Sequence, residues 1–218
     1  MLGTAVCLVL QHDVIALAKA VATLDVVSGG RLVLGVGAGW NEEELADHRP
    51  DLPFRQRFGA MAERVAALRA LWSDSEAGLS GRWDRVSPSW VFPKPVRGTV
   101  PIALGNWGQL GMDHAARYAD EWMPIDAMLR GADGRPDVAA GVERFRRLVA
   151  EHGRDPDTVA VSVFMFSRPT DARIERYAAL GIRRVVVSVP SADVIPPSAI
   201  RRDLDEITPI VQRHTEPA

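Results

Sequence analysis

Glycines at 29, 30, 35, 37 and 39 flank an apolar run in SGGRLVLGVGAGWNEEE (28–44), and Trp40, Asn41 and three glutamates follow. Three roles use glycines so placed: a dinucleotide fingerprint, a phosphate loop, or a turn where a planar group meets the backbone. The fingerprint G-x-G-x-x-G starts at Gly35 and Gly37, but Trp40 stands where the third glycine belongs. That glycine permits close helix–strand packing, so its loss counts against the fingerprint. A phosphate loop needs Gly-Lys followed by Ser or Thr, and no such triplet follows. Electrostatics adds a second objection. Asn41 is placed to cap a helix whose first turn carries Glu42, Glu43 and Glu44. Helix N-termini attract anions through unsatisfied N–H groups and the dipole, and these carboxylates already satisfy that end. The turn Gly37-Ala38-Gly39-Trp40 therefore suits a neutral or planar group, with Trp40 as an aromatic wall. A purely structural strand-to-helix turn, with Trp40 in the core, is the other reading, and the pattern leaves both open.

Other reactive side chains form no recognisable constellation. His12, His48, His114, His152 and His214 do not pair at metal-ligand spacing, so no metal site is expected. His12 follows an apolar strand and is read as a capping or surface residue. Cys7 is the single cysteine, which excludes an internal disulfide and points to a reducing, cytoplasmic setting. Within its apolar strand it reads as an inert thiol. No G-x-S-x-G motif or paired carboxylates occur, so the catalytic residues stay unassigned. Arg144, Arg146 and Arg147 cluster on a helix and read as a solvated face, with contact to an anionic tail as the alternative. The formal charge of −2 gives no basic excess for nucleic acid or anionic membrane. No apolar run reaches the roughly 18 residues of a membrane helix.

The elements that must position these residues alternate. Strands are expected at 4–10, 31–37, 101–105, 121–125, 159–166 and 183–189. Helices are expected at 13–27, 55–72, 109–119, 138–152, 171–180 and 197–213, with a shorter one opening at Asn41. Residues 73–98 read as a Gly-, Ser- and Pro-rich loop packed down by Trp83 and Trp90. Strand–helix alternation implies a parallel sheet covered by helices. A closed (β/α)₈ barrel needs eight units, and six are counted, so two are missing or the sheet is open. No composition shift divides the chain, and 1–218 reads as one domain.

In combination these segments resemble the luciferase-like monooxygenase superfamily, in particular its coenzyme F420-dependent oxidoreductases. LGTAVCLVL with LAKAVATLD resembles the family's third strand and helix, and SGGRLVLGVGAGW its fourth strand. FRQRFGAMAERVAALRALW resembles the next helix, and FPKPV, PIALGNWG and AARYADEWMPI resemble the approach to strands five and six. The likeness runs from Leu2 to about Ile125. It implies a (β/α)₈ TIM barrel with coenzyme F420, or alternatively FMN, across its C-terminal mouth. The ring system would pack near Thr4, Ala5 and Val6, where the family often has a bulge with a non-proline cis peptide. Gly37, Ala38, Gly39 and Trp40 would border the ring or its ribityl chain. Gly105, Asn106 and Trp107 would meet the phosphate-bearing tail through backbone N–H groups. Asn106 stands where the family often has glycine, as does Glu121, and Asp13 stands where proline is frequent.

If Met1 opens strand three, the first two βα units are absent, which agrees with the count of six. Those units usually supply substrate-pocket and proton-handling residues. Without them strand three presents an apolar edge. A mis-assigned start or fragment, a partner or homodimer mate, and a genuine six-unit derivative are the three explanations. The implied function is a flavin- or deazaflavin-dependent oxidoreductase or monooxygenase acting on a small organic molecule. A non-catalytic truncated barrel, binding a cofactor or serving as a subunit, is the alternative.

Overall fold

The computed structural model describes residues 1–73, 76–188 and 196–215. Six βα units follow one another along the described chain. Position 189 of the expected last strand, and positions 74 and 75 of the expected loop, lie outside the described residues. The chain divides into two compact units, Met1–Glu121 and Trp122–Ala218.

Unit 1 opens with an interrupted strand, β1 (Leu2–Gly3) and β2 (Cys7–Leu8), where the apolar run had suggested one continuous strand over 4–10. Both pieces pair in parallel with β3 (Leu32–Gly37). Gly3 faces Val33 and Cys7 faces Val36. Three residues, Thr4 to Val6, thus oppose two, Leu34 and Gly35, which is a β-bulge. The Ala5–Val6 peptide within it is cis. After β2 a 3₁₀ turn (Val9–Gln11) leads into α1 (Val14–Val27), whose cap Asp13 accepts a hydrogen bond from Ala16 N at 2.8 Å. Gly29 and Gly30, at φ 66° and 74°, end that helix in the left-handed conformation glycine tolerates.

Beyond β3 come α2 (Glu42–His48), α3 (Arg57–Trp72), β6 (Ile102–Leu104) and α4 (Gln109–Tyr118). β6 lies parallel to β3, with Leu34 opposite Ile102 and Val36 opposite Leu104. The helices cover the sheet because their apolar residues recur on one face. Leu17, Ala18, Val21 and Ala22 of α1 are buried, as are Met61, Val65, Leu68 and Trp72 of α3. Trp72 Nε1 donates to Ala18 O at 3.0 Å, which gives the buried indole its polar partner.

The expected loop at 73–98 contains an antiparallel hairpin, β4 (Ala77–Ser80) and β5 (Arg85–Ser89). Of its two tryptophans, Trp83 is half-buried and Trp90 is not. Trp90 is exposed and stacks on Phe92, which is exposed as well. The hold comes from α3. The Glu63 carboxylate accepts from the N–H groups of Arg82, Trp83 and Asp84 at 3.0, 2.7 and 2.6 Å. Arg64 forms a buried two-pronged ion pair with Asp84 at 2.6 and 2.7 Å.

β7 (Glu121–Trp122) stands where the two units join in sequence. Unit 2 carries α5 (Val138–Glu151), β8 (Ala160–Met165), α6 (Asp171–Ala179), β9 (Arg184–Val187) and α7 (Pro197–Arg213). β8 and β9 pair in parallel, with Ser162 opposite Arg184 and Met165 opposite Val187. The core is anchored by Trp122 stacked on Phe145, ring centres 4.4 Å apart. The arginines of α5 serve the fold. Arg146 donates to Leu180 O at 3.1 Å, Arg144 to Arg130 O at 3.4 Å, and Arg147 lies 3.6 Å from Glu143. Among the described residues, no helix is long and apolar enough to cross a membrane.

Candidate functional site

Parallel strands bring the turns at their C-terminal ends to one edge. In unit 1, Leu8 faces Gly37 and Val36 faces Leu104, and Gly105 N donates to Val36 O at 3.4 Å. The segment after β2, the turn after β3 and the turn after β6 therefore share one rim. Two of the three sequence-selected groups, Gly37–Trp40 and Gly105–Trp107, lie on it. The third, Thr4–Val6, is the bulge one step below, joined to β3 by its side chains. Thr4 Oγ1 donates to Gly35 O at 2.8 Å. Val6 lies across Gly37, so that a Cβ built on Gly37 would fall 2.5 Å from Val6 Cγ2.

Gly37 thus has to be glycine to admit the Val6 side chain. Gly39 is less crowded. Its φ is 79°, and the nearest atom to an added Cβ is Leu8 Cδ2 at 4.0 Å. The turn needs glycine there for conformation and leaves the space above it open. Ala38 is buried. Trp40 is 86% exposed, which removes the core reading and leaves an aromatic face at the rim.

Arg57 fixes the turn, and no sequence signal distinguishes it from other helix arginines. Its Nε donates to Gly39 O at 3.0 Å and its Nη1 to Phe54 O at 3.1 Å. The guanidinium lies 3.8 Å from the Phe54 ring centre and 4.9 Å from that of Phe58. Burial pushes its pKa down, against the opposing charge of Glu42. Arg64 Nη1 donates to Val9 O at 2.6 Å and to His12 O at 2.5 Å. The same guanidinium that binds Asp84 therefore also anchors the segment after β2. The His12 side chain is exposed and its carbonyl is the group engaged. Cys7 is half-buried, and that burial raises its thiol pKa.

The two helices that start at this rim differ in electrostatics. α2 is closed to anions. Asn41 Oδ1 accepts from Glu43 N at 3.0 Å and Glu44 N at 3.3 Å, and Glu42, Glu43 and Glu44 occupy the first turn. α4 starts at Gly108 with no side-chain cap and no acidic residue in its first turn. Its N-terminal N–H groups and dipole are the anion-favouring feature of the rim. Asn106 packs its Cβ against Gly111 of that helix, where an added Cβ would lie 2.3 Å away. Gly105 N is engaged by β3, so the N–H donors shift from Gly105 toward the start of α4. Around them Trp107, Leu110 and Val6 are 40%, 52% and 36% exposed. The rim thus offers an open glycine turn, an exposed indole and one uncapped helix start.

Known proteins resemble this chain in sequence and in fold. The family model described as luciferase-like monooxygenase matches residues 1–214. An uncharacterised protein of Mycobacterium tuberculosis is 38% identical over 199 residues, covering 88% of this chain and 65% of the relative. An F420-dependent glucose-6-phosphate dehydrogenase of Amycolatopsis mediterranei is 25% identical over 161 residues, covering 66% of this chain and 47% of that enzyme. Among solved structures, an F420-dependent secondary alcohol dehydrogenase in complex with an F420–acetone adduct superposes with a TM-score of 0.70 at 18% identity. It covers 96% of this chain and 78% of that one, a likeness of fold. The chain thus spans only 65% of the length of the mycobacterial relative.

Proposed function

This chain belongs to the luciferase-like monooxygenase family, and on that footing we propose that the unit 1 rim binds coenzyme F420, with FMN as the alternative, in an oxidoreductase. The Gly39 turn and the exposed face of Trp40 receive the planar ring system. The bulge Thr4–Val6 forms the floor beneath it. The start of α4, with Asn106 and Trp107 beside it, holds the phosphate-bearing tail. The residues fit such a group on two counts: the space above Gly39 is open, and α4 presents an uncapped N-terminus without acidic side chains. When bound, the cofactor supplies hydride transfer at C5 of the deazaflavin, or oxygen activation in the case of FMN. The protein's part is to hold the ring against Trp40, to keep the turn fixed through Arg57, and to keep carboxylates away from the phosphate. The substrate is a small organic molecule.

The contrast between α2 and α4 carries this reading, because it assigns the planar and anionic ends of one ligand to different turns of the same rim. Titration of the purified protein with coenzyme F420 and with FMN, followed by fluorescence and native mass, tests it. A one-to-one complex with either supports the proposal, and binding of neither refutes it. An NAD(P) complex centred on Gly35–Gly39 would refute it too, in favour of a nicotinamide enzyme.

A further inference from the structure

We infer that unit 2 binds a small hydroxylated oxyanion, a carboxylate or a phosphate ester, in the cavity between Asp126 and the arginines of α6. Parallel pairing of Ile125 with Phe164 brings Asp126 and Ser167 to the C-terminal ends of neighbouring strands. That is the end at which parallel α/β folds bind their ligands. There Asp126 and Ser167 line a cavity of about 520 Å³ together with Arg173, Arg176 and Tyr177 of α6. Pro136 and Val138, around the start of α5, add apolar surface to it. The inference concerns unit 2 and does not depend on the cofactor reading of unit 1.

The lining residues divide by burial and by charge. Asp126 and Tyr177 are buried, whereas Ser167, Arg173 and Arg176 are exposed. Tyr177 Oη donates to Asp126 Oδ2 at 2.9 Å, and Asp126 Oδ1 accepts from Ala127 N at 2.6 Å. A carboxylate that accepts two bonds keeps further lone pairs, so Asp126 can accept from a ligand hydroxyl as well. Burial and the bond to Asp126 keep the Tyr177 phenol protonated, and it adds no second negative charge. Arg173 and Arg176 lie three positions apart on α6, which puts them on one face. Their two positive charges exceed the single charge of Asp126. Arg173 Nη1 donates to the neutral Ser167 hydroxyl. Neither arginine has a carboxylate within ion-pair distance among the described residues. Asp171, the acid in the first turn of α6, is taken by Arg213 and His214. An oxyanion with a hydroxyl answers both parts of the cavity. Its charged oxygens pair with the guanidiniums, which bind carboxylate and phosphate in matched forks, and its hydroxyl donates to Asp126.

The test reads the cavity directly. The chain has two tyrosines, Tyr118 and Tyr177, so tyrosine labelled with carbon-13 at the phenol carbon gives two NMR signals. Tyr177→Phe assigns them. The probes are glycerate and glycerol 3-phosphate, with propionate and propyl phosphate as their hydroxyl-free counterparts and glycerol as the uncharged control. Glycerate or glycerol 3-phosphate is expected to shift the Tyr177 signal saturably at millimolar concentration, and the tighter of the two identifies the anionic group. Its hydroxyl-free counterpart should bind at least about threefold more weakly, the loss of one hydrogen bond. Arg173→Gln combined with Arg176→Gln should weaken the binding at least about tenfold. Both arginines are exposed, and circular dichroism checks that the double variant is folded. The inference is overturned if neither anion moves the Tyr177 signal, or if glycerol moves it equally. Equal affinity for the hydroxyl-free counterpart, or unchanged affinity in the folded double variant, overturns it too.

Discussion

Val6 occupies the space that a side chain on Gly37 would need: a Cβ there would lie 2.5 Å from Val6 Cγ2. The bulge and the glycine run are therefore one packing unit. Gly37→Ala is expected to destabilise the protein by about 1–3 kcal/mol, the usual cost of overpacking a fitted site. In the Val6→Ala background the same change should cost clearly less, because the obstructing methyl is gone. Denaturant unfolding of the four proteins in the cycle measures the coupling.

Arg64 joins three places at once: Asp84 in the hairpin and the carbonyls of Val9 and His12 after β2. The pair is buried, so removing one partner leaves an uncompensated charge. Asp84→Ala is expected to cost about 3–5 kcal/mol in chemical denaturation. An exposed pair such as Arg147–Glu143 should cost less than about 1 kcal/mol when broken the same way.

His114 is buried between Phe58 and Tyr118, ring centres 5.4 and 5.8 Å away, and its Nδ1 has no hydrogen-bond partner among the described residues. Burial lowers its pKa, Arg117 lowers it further, and Asp113 opposes them. The folded protein therefore binds this proton less readily than the unfolded chain, whose reference value is 6.5. Stability is unaffected by this group well above pH 6.5 and falls as the pH drops below it, until the folded pKa is passed. Unfolding measured at mildly acidic and neutral pH should show a loss in the wild type that shrinks in His114→Phe.

Both tyrosines of the chain are held protonated. Burial pushes Tyr118 upward. Burial, with the hydrogen bond to Asp126 and that residue's charge, pushes Tyr177 up to about 12. The ordinary value is 10.0, so stability is intact below pH 10 and is lost as the pH rises from there through the folded values. Absorbance titration of the native protein should show no phenolate step near pH 10, and unfolding should restore it.

Most of the elements were legible in the sequence, and the misses have physical reasons. Asp13 and Asn41 cap the helices their positions implied, because a short polar side chain before an apolar period has few other uses. The bulge was invisible to periodicity. TAVCLVL is apolar throughout, so a one-residue slip leaves no mark in the pattern, and only resemblance to the family suggested it. The hairpin at β4 and β5 was hidden by its glycine, serine and proline content, since its hold comes from Glu63 and Arg64 on the preceding helix. Trp40 shows the same limit at the rim. Sequence alone cannot say whether an indole after a glycine turn points inward or outward, and Arg57 gave no signal because its partners are carbonyl groups.

The central claim is that the rim of unit 1 binds one ligand with its ring at Gly39–Trp40 and its phosphate at α4. Leu110 is exposed in the first turn of α4, and a carboxylate there would favour the helix dipole while repelling a phosphate. Leu110→Glu should therefore leave stability unchanged or raise it by up to about 1 kcal/mol. Fluorescence titration with coenzyme F420, or with FMN if that binds instead, compares wild type with Leu110→Glu most directly. The expected result is one-to-one binding by the wild type, weakened about tenfold in the variant, a difference of about 1.4 kcal/mol. Absence of binding by the wild type, or unchanged affinity in a folded Leu110→Glu protein, would contradict it.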